Sequence, residues 1–309
     1  MHKYFGTSAD WGWVWPEDAV AAANGTHRPP PPPMAPMDHG IAASYAPWLV
    51  LAALVASVVV QGSIGRTIGD VACGWRLSYS PASPAFAIWG LIYAGNAVAI
   101  VVQIVDSVKG IDTYAAAPWV NYLFAWAWLQ TGVWVCFFGG TAGGARKVGI
   151  TVAAFIIVSA AMTATGAVCI EGFWRRRDAW AIAAVGVWYS LFAGWLCVAS
   201  ALGIGVAWAA NTRPFDAQCT RQSREERRRT YNTFVRAGVD ERSCVPLLVA
   251  ILISIPTFLV PDPALAVPAI VGIYFVKGHF KNWLALELLT VTTVAALVSV
   301  VTGVWYDLN

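Results

Sequence analysis

The chain has 309 residues, of which 58% are hydrophobic and only 12% are charged. Soluble domains carry about a quarter charged residues and somewhat under half apolar ones, so this composition excludes an ordinary soluble domain. The net charge of +3 is too small to indicate a nucleic-acid-binding surface. The six cysteines include no C-x-x-C pair, which argues against a disulfide framework or a zinc site and favours cysteines used for packing.

Residues 1–44 form a tail that contains a proline run from Pro29 to Pro33, followed by Pro36. This composition is typical of polyproline II, either a stiff spacer or a ligand for an aromatic groove. We interpret the tail as disordered. Its four acidic residues do not fit a transit peptide, and it lacks the apolar core of a secretory signal.

Eight apolar segments follow the tail, and they predict an all-α fold, a polytopic bundle of transmembrane helices. They lie near 46–65, 84–105, 117–138, 148–170, 179–209, 245–260, 264–276 and 284–304. The first five and the last have the roughly 20 residues that span hydrocarbon. Only Pro261, Asp262 and Pro263 separate the short segment 264–276 from its predecessor. The pair is therefore either a tight two-helix hairpin or a re-entrant loop, and both return the chain to the same side.

Lys and Arg residues are unequally distributed among the loops between these segments. The odd-numbered loops hold fourteen of them, against six in the tail and the even-numbered loops, and eight of the fourteen lie within 210–244. Because cytoplasmic loops carry the excess of Lys and Arg, the odd-numbered loops should be cytoplasmic and both termini on the opposite face. The basic loop itself is either a solvated helix, as the pair Glu225 and Arg229 indicates, or a segment held on anionic headgroups.

No residue pattern in the apolar segments indicates catalysis or a bound metal. All four histidines lie outside these segments: His2, His27, His39 and His279. An intramembrane haem or metal held by His is therefore not expected. Charged residues are few, and Asp106 stands at a segment end, so no row of buried carboxylates indicates proton-coupled transport. The sequence predicts neither an enzyme nor a covalently or His-bound cofactor.

The 17 Trp residues are more than an interfacial belt alone explains. Rings in the second and fifth segments repeat at spacings of three and four residues, which places each set on one helix face. The two sets are Phe86, Trp89 and Tyr93, and Trp188, Phe192 and Trp195. Converging rings would form a flat-walled apolar pocket, whereas rings that fill gaps between helices are the alternative, and the residues alone leave both open.

Five stretches of the sequence resemble a known membrane protein family. They are 62–70 (GSIGRTIGD), 86–93 (FAIWGLIY), 188–199 (WYSLFAGWLCVA), 266–273 (AVPAIVGI) and 291–298 (VTTVAALV). The second and third resemble the second-helix and fifth-helix signatures of the tryptophan-rich sensory protein family, also called TspO/MBR or translocator protein. The others resemble the first-loop entry and the two closing helices of its longer, eight-segment members. The likeness covers about 46–304 and holds in order, spacing and Trp richness.

The resemblance implies a TspO-like five-helix bundle over 45–210 with an inter-helix pocket capped by the first loop. The basic loop 211–244 and about three C-terminal transmembrane helices, 245–309, would follow. The family likeness implies binding of tetrapyrroles and, in some members, sterols. Sterol is the less expected ligand here. The family's sterol-recognition pattern at the end of the fifth helix needs a Tyr before a basic residue, and residues 202–213 contain no Tyr.

The resemblance also implies a set of pocket residues in this chain. They are Trp75, Pro81, Phe86, Trp89, Tyr93, Gln130, Trp134, Trp188, Phe192, Trp195 and Ala199. Besides the missing Tyr, the chain departs from the family pattern at two places, since Gln130 stands for an Asn of the third helix and Gly203 for an Asn late in the fifth.

The sequence thus predicts an integral, multi-pass membrane protein, in a plasma or organellar membrane, that binds an apolar planar ligand such as a porphyrin for sensing, trafficking or scavenging. One alternative is a helical subunit of a larger membrane complex, with the tail and basic loop as contact arms. A secondary transporter is less favoured, because we find no inverted repeat. The expected partners are the lipid bilayer and the planar ligand, not nucleic acid. A homodimer, which the pattern Ala199-x-x-x-Gly203 would suit, and a larger assembly both stay open.

Overall fold

The computed structural model describes residues 41–75, 77, 87–110, 116–139, 145–175, 179–212 and 262–274, together with 287, 290–295, 297 and 298. Several predictions lie outside the described residues: Pro81, Phe86, the segment 245–260, most of the tail 1–44 and nearly all of the basic loop 211–244. Of the predicted segment 284–304, the described residues are helical.

The described part of the chain is built from helices, as the apolar segments predict. We number them α1 (Ile41–Gly74), α2 (Ile88–Lys109), α3 (Pro118–Gly139), α4 (Ala145–Glu171), α5 (Ala179–Thr212) and α6 (Pro263–Tyr274). A 3₁₀ turn, Phe173–Arg175, follows α4, and α5 contains a π-helical stretch, Ile182–Gly186. The prediction of an all-α helical bundle is confirmed.

Four of these helices are long and apolar enough to cross a bilayer: Tyr45–Ile64 of α1, all of α2, Arg146–Glu171 of α4, and α5. The 22 residues of α3 give it a length of about 33 Å, enough to cross as well. It carries four Trp residues together with Tyr, Asn and Gln side chains. The 12 residues of α6 span only about 18 Å, so this helix is too short to cross the hydrocarbon core.

The first five helices pack side by side in a closed ring, in the order α1, α3, α4, α5, α2 and back to α1. Polar side chains join most of the neighbours. Gln130 donates to Ser159 (2.7 Å), Ser200 to the Ile157 carbonyl (3.1 Å), Asn96 to the Trp188 carbonyl (3.1 Å) and Tyr93 to Gln61. Between α1 and α3 the small residue Gly132 lies against Ser57. Inside a bilayer each such hydrogen bond contributes about 1 kcal/mol or less, so close packing supplies the rest of the free energy that holds the helices together.

Helix α6 lies against α5 outside this ring. A Cβ at Gly194 would collide with the Leu265 carbonyl, so only glycine permits this approach. The Asp262 carboxylate caps α6 by accepting the Leu265 N–H at 3.2 Å, with Pro263 in the first helical position, where its missing N–H costs nothing. Ser190 donates to the same carboxylate at 2.5 Å, which places the start of α6 near the start of α5.

The turn before α6 therefore lies at the end of the bundle where α2 and α4 end and α3 and α5 begin. Both interpretations of 245–276, a hairpin and a re-entrant loop, return the chain to the same side of the membrane. Residues 245–261 lie outside the described part, so the choice between the two stays a prediction.

The outward surface of the bundle is apolar. Large side chains such as Val59, Leu91, Phe155, Met162 and Ile170 point away from the core and are exposed. In water such a surface would be an aggregation hazard, whereas in a bilayer it faces acyl chains. With the apolar spans above, it identifies an integral membrane protein that crosses the bilayer several times.

Candidate ligand-binding site

The start of α5 is shaped by a π-helical turn. The Val187 N–H donates to the Ile182 carbonyl five residues earlier, so this turn is wider than an α-helical turn and holds one extra residue. Gly186, at the end of this stretch, lies against Phe173 from the turn after α4, where a Cβ would stand only 2.8 Å from the Phe173 Cβ. The widened turn thus brings Phe173 close to the first rings of α5.

Eight rings from α2, α3, α5 and the turn after α4 form one continuous group, which we call the aromatic cluster. Its members are Trp89, Tyr93, Phe124, Trp128, Phe173, Tyr189, Phe192 and Trp195. In its interior the rings stack face to face, with centroids 3.9 Å apart for Trp128 and Phe192 and 3.8 Å apart for Phe124 and Tyr189. These four side chains are fully buried.

The edge of the aromatic cluster is more open. Trp89 and Tyr93 are only half-buried, and their rings stack with centroids 5.3 Å apart. Trp195 is buried behind them and meets Trp89 edge to face at 6.0 Å and 85°. The Tyr93 hydroxyl donates to the Oε1 atom of Gln61 on α1, and the Gln61 Nε2 donates to Ser57 at 2.9 Å. Flat ring surfaces and polar groups therefore meet between α1, α2 and α5.

A polar group inside the aromatic cluster also lacks a partner. The Trp128 indole N–H is buried and has no hydrogen-bond acceptor among the described residues. A buried donor without an acceptor costs free energy, so such groups are uncommon unless a ligand or water serves them. Trp128 lies next to Tyr93, with ring centroids 5.7 Å apart.

The structure brings together some of the predicted pocket residues and separates others. Trp89, Tyr93, Phe192 and Trp195 belong to the aromatic cluster, and the buried Ala199 belongs to the same core. Trp188 is half-buried over Gly95 of α2, where a Cβ would collide with its ring.

Three predicted residues lie elsewhere. Trp75 is buried in a second core region at the end of α1, with Val71, Leu77, Phe138 and others. Trp134 bridges this second region and the main core, and its ring lies 5.3 Å from Phe138. Gln130 faces α4, where it donates to Ser159.

The predicted pocket residues did not include Phe124, Trp128 or Tyr189, although these rings fill the centre of the aromatic cluster. Each lies on α3 or α5 at a helical spacing from another ring, which is the signal that could have found them. Spacing fixes which residues of one helix share a face, but it does not say which faces of two helices meet.

At one end of the aromatic cluster the ring of Tyr189 leads into a polar region, which we call the polar end. Gln103 donates to the Tyr189 hydroxyl at 3.0 Å, and this hydroxyl donates to Asn121 at 2.8 Å. Three buried carboxylates belong to the same end: Asp106, Glu171 and Asp262. The Glu171 carboxylate accepts the Ala117 N–H at 3.4 Å.

Asp262 lies in the turn before α6, outside the spans. Its burial raises the pKa of the carboxyl to about 6, against hydrogen bonds from Ser190 and the Leu265 N–H, which lower it. Among the described residues, no group of three or more His, Cys, Asp or Glu could hold a metal ion. The four histidines lie outside the described residues, so the expectation of no His-bound cofactor stays a prediction.

Comparison with known proteins identifies a family. The family model of the TSPO-like proteins matches residues 43–215, which run from the start of α1 to just beyond α5. No curated protein and no solved structure matches the chain. The matched region covers more than half of the chain and includes all the rings of the aromatic cluster. The chain therefore belongs to the family of TSPO-like proteins.

Proposed function

We propose that the protein binds an apolar planar ligand of the porphyrin type at the open edge of the aromatic cluster, between α1, α2 and α5. The ligand would stack on Trp89 and Tyr93, with Trp195 behind them. Its role would be sensing, trafficking or scavenging without chemical turnover. TSPO-like proteins are generally binding and sensing proteins rather than enzymes, which supports this choice.

The observation that carries the proposal is the half-burial of Trp89 and Tyr93 at the edge of an otherwise buried set of rings. The fully buried rings have no exposed surface, whereas these two retain surface on which a flat molecule can stack. Small-molecule sites combine such apolar walls with a few polar groups that fix orientation. Here Gln61 and the Tyr93 hydroxyl supply those groups, and they suit the polar substituents at the rim of a porphyrin.

Ring stacking and apolar burial would provide most of the affinity in this arrangement. Each aromatic pair contributes about 0.5–1.5 kcal/mol beyond the burial of its area. Trp89→Phe keeps an aromatic ring but reduces its area and removes the indole N–H. We therefore expect the dissociation constant for protoporphyrin IX to rise roughly two- to tenfold in this variant.

The test uses the full chain, purified in detergent, and titrates it with protoporphyrin IX. Binding is followed by quenching of Trp fluorescence and by the shift of porphyrin absorbance. Trp180→Phe is the control, because Trp180 is exposed at the start of α5, away from the edge. Saturable binding that weakens in Trp89→Phe and not in Trp180→Phe supports the proposal. No saturable binding to the wild type, or equal affinities for all three proteins, would contradict it.

A further inference from the structure

One face of α2 carries buried oxygen atoms that have no hydrogen-bond donor in the described part of the chain. They are Asn96 Oδ1, Gln103 Oε1 and Asp106 Oδ2. Their spacings of seven and three residues place them in one row along the helix. All three side chains are more than nine-tenths buried. Gln103 and Asp106, one turn apart, belong to the polar end. They lie further along α2 than Trp89 and Tyr93, which form the edge of the aromatic cluster.

The orientation of the Gln103 amide is fixed by its neighbours. Its Nε2 donates to the Ala99 carbonyl at 3.2 Å and to the Tyr189 hydroxyl at 3.0 Å. Exchanging nitrogen and oxygen would put two acceptors against each other at the Ala99 carbonyl. The Tyr189 proton is already used, because this hydroxyl donates to Asn121 Oδ1. The Gln103 Oε1 atom is therefore an acceptor that neither Tyr189 nor Asn121 serves.

The two unpartnered oxygen atoms of Gln103 and Asp106 would be satisfied by a positive charge or a proton. A carboxylate inside a membrane protein is costly unless it is paired, and such residues usually mark a functional site. Gln103 and Asp106 both present oxygen, the ligand atom that hard cations prefer. Side chains at this spacing have Cβ atoms about 5–6 Å apart, close enough for one small cation to contact both oxygens.

We propose that Gln103 Oε1 and Asp106 Oδ2 together form a binding site for one small cation. The positive charge could be an alkali-metal ion or a bound proton shared between the two oxygens. The charged groups at the polar end are Lys109, Glu171 and Asp262. The Lys109 charge, one turn further along α2, acts on the Asp106 carboxylate without a hydrogen bond to its Oδ2 atom. The neighbouring faces of α3 and α5 contribute the neutral Asn121 and Tyr189.

An occupied site would link three helices. Gln103 is joined to Tyr189 on α5 and through it to Asn121 on α3, so a cation on Gln103 and Asp106 holds the end of α2 in register with both. A ligand that binds only the folded state raises its stability by RT ln(1 + [L]/Kd), so the gain grows with the ligand concentration. This consequence does not depend on porphyrin binding.

The test measures thermal unfolding of the full chain in detergent. One series replaces N-methylglucamine chloride by sodium or potassium chloride at fixed pH and ionic strength. A second series varies pH in N-methylglucamine chloride alone. Asp106→Asn removes the charge of the site. Glu171→Gln is the matched control, because Glu171 is a buried carboxylate at the same end whose acceptor role toward Ala117 survives in Gln.

We expect the wild type and Glu171→Gln to gain a few degrees in melting temperature, either with saturating alkali ion or with falling pH. A gain with alkali ion identifies a metal ion. A gain with falling pH identifies a proton at this site only where it exceeds the gain of Asp106→Asn, because Asp262 makes every variant more stable as pH falls from about 6. Asp106→Asn should lose the alkali-ion response and keep only the pH response of Asp262. Gln103→Met keeps the carboxylate and removes the amide oxygen, so the ion or proton concentration at the midpoint of the response should shift several-fold. This variant replaces Asp106→Asn in the test if Asp106→Asn does not fold. Equal responses of the wild type, Asp106→Asn and Gln103→Met in both series would overturn the proposal.

Discussion

The aromatic cluster and the polar end are both buried within one bundle, yet they are held together by different physics. In the aromatic cluster, rings stack at centroid distances down to 3.8 Å, and the unpartnered polar group is a donor, the Trp128 indole N–H. In the polar end, hydrogen bonds connect three helices, and the unpartnered groups are acceptors on Gln103 and Asp106.

This difference separates stability from function. Fully buried rings contribute to stability through contact with each other and have no surface left for a ligand. The sites that we propose lie where contacts are incomplete, at the half-buried pair Trp89 and Tyr93 and at the unpartnered oxygens of α2. The predictions below test this division, from the largest expected effect to the smallest.

The largest effect is expected at the centre of the aromatic cluster. Trp128 is fully buried and stacks on Phe192, so Trp128→Ala should lower the free energy of unfolding by about 3–5 kcal/mol. Trp126 lies two residues away on α3 and is 55% exposed, so Trp126→Ala should change it by about 0.5 kcal/mol or less. Thermal unfolding in detergent compares the two. Similar losses in both variants would show that the cluster is not the stabilising centre of the bundle.

The next effect concerns the polar end and depends on pH. The folded-state pKa of Asp262 is about 6, above its ordinary value of 3.8, so the folded state binds the proton more tightly. Its contribution to stability is therefore fully present below about pH 4 and is lost as pH rises toward 6. A difference of about two pKa units corresponds to roughly 3 kcal/mol.

Asp262→Asn should remove this part of the pH dependence, which unfolding curves recorded between pH 4 and pH 7 would show. Asn keeps one oxygen for the Leu265 N–H, and its amide nitrogen can donate to the Ser190 hydroxyl in place of the bond that Ser190 now donates, so the cap of α6 should survive. An unchanged slope in the variant would mean that Asp262 does not titrate in this range.

A smaller effect is expected where the two regions meet. Tyr189→Phe keeps the ring that stacks on Phe124 but removes the hydroxyl between Gln103 and Asn121. We expect a loss of about 1–2 kcal/mol, because two buried groups lose their partner. Tyr45→Phe, at an exposed position of α1, is the control and should be neutral. A neutral Tyr189→Phe would show that water replaces the hydroxyl and that the helices are not linked through it.

Much of the fold could be predicted from the sequence, because hydrocarbon demands continuous apolar helices. The predicted segment 117–138 corresponds to the helix Pro118–Gly139, and the predicted segment 179–209 corresponds to the helix Ala179–Thr212. The segment 46–65 is only part of α1, which runs from Ile41 to Gly74. Apolarity marks the part of a helix inside the membrane, whereas the helix itself continues until a residue ends it. The eight-segment organisation beyond α6 stays a prediction.

The candidate site was less accessible to sequence reasoning. Helical spacing correctly placed Trp89 and Tyr93 together, since both belong to one helix. It could not place Trp128 beside Phe192, because that pair depends on how α3 packs on α5. Nor did it find the three buried carboxylates at one end, because each stands at the end or the start of a different helix: Asp106, Glu171 and Asp262.

The most direct test of the account compares an edge ring with an interior ring in the same assay. Protoporphyrin IX affinity and melting temperature would be measured for Trp89→Phe, at the half-buried edge, and Phe124→Leu, in the buried stack. Trp89→Phe should weaken binding roughly two- to tenfold with a nearly unchanged melting temperature, whereas Phe124→Leu should lower the melting temperature with nearly unchanged affinity. An unchanged affinity in Trp89→Phe, or an equal loss of affinity in Phe124→Leu, would contradict the assignment of binding to the edge.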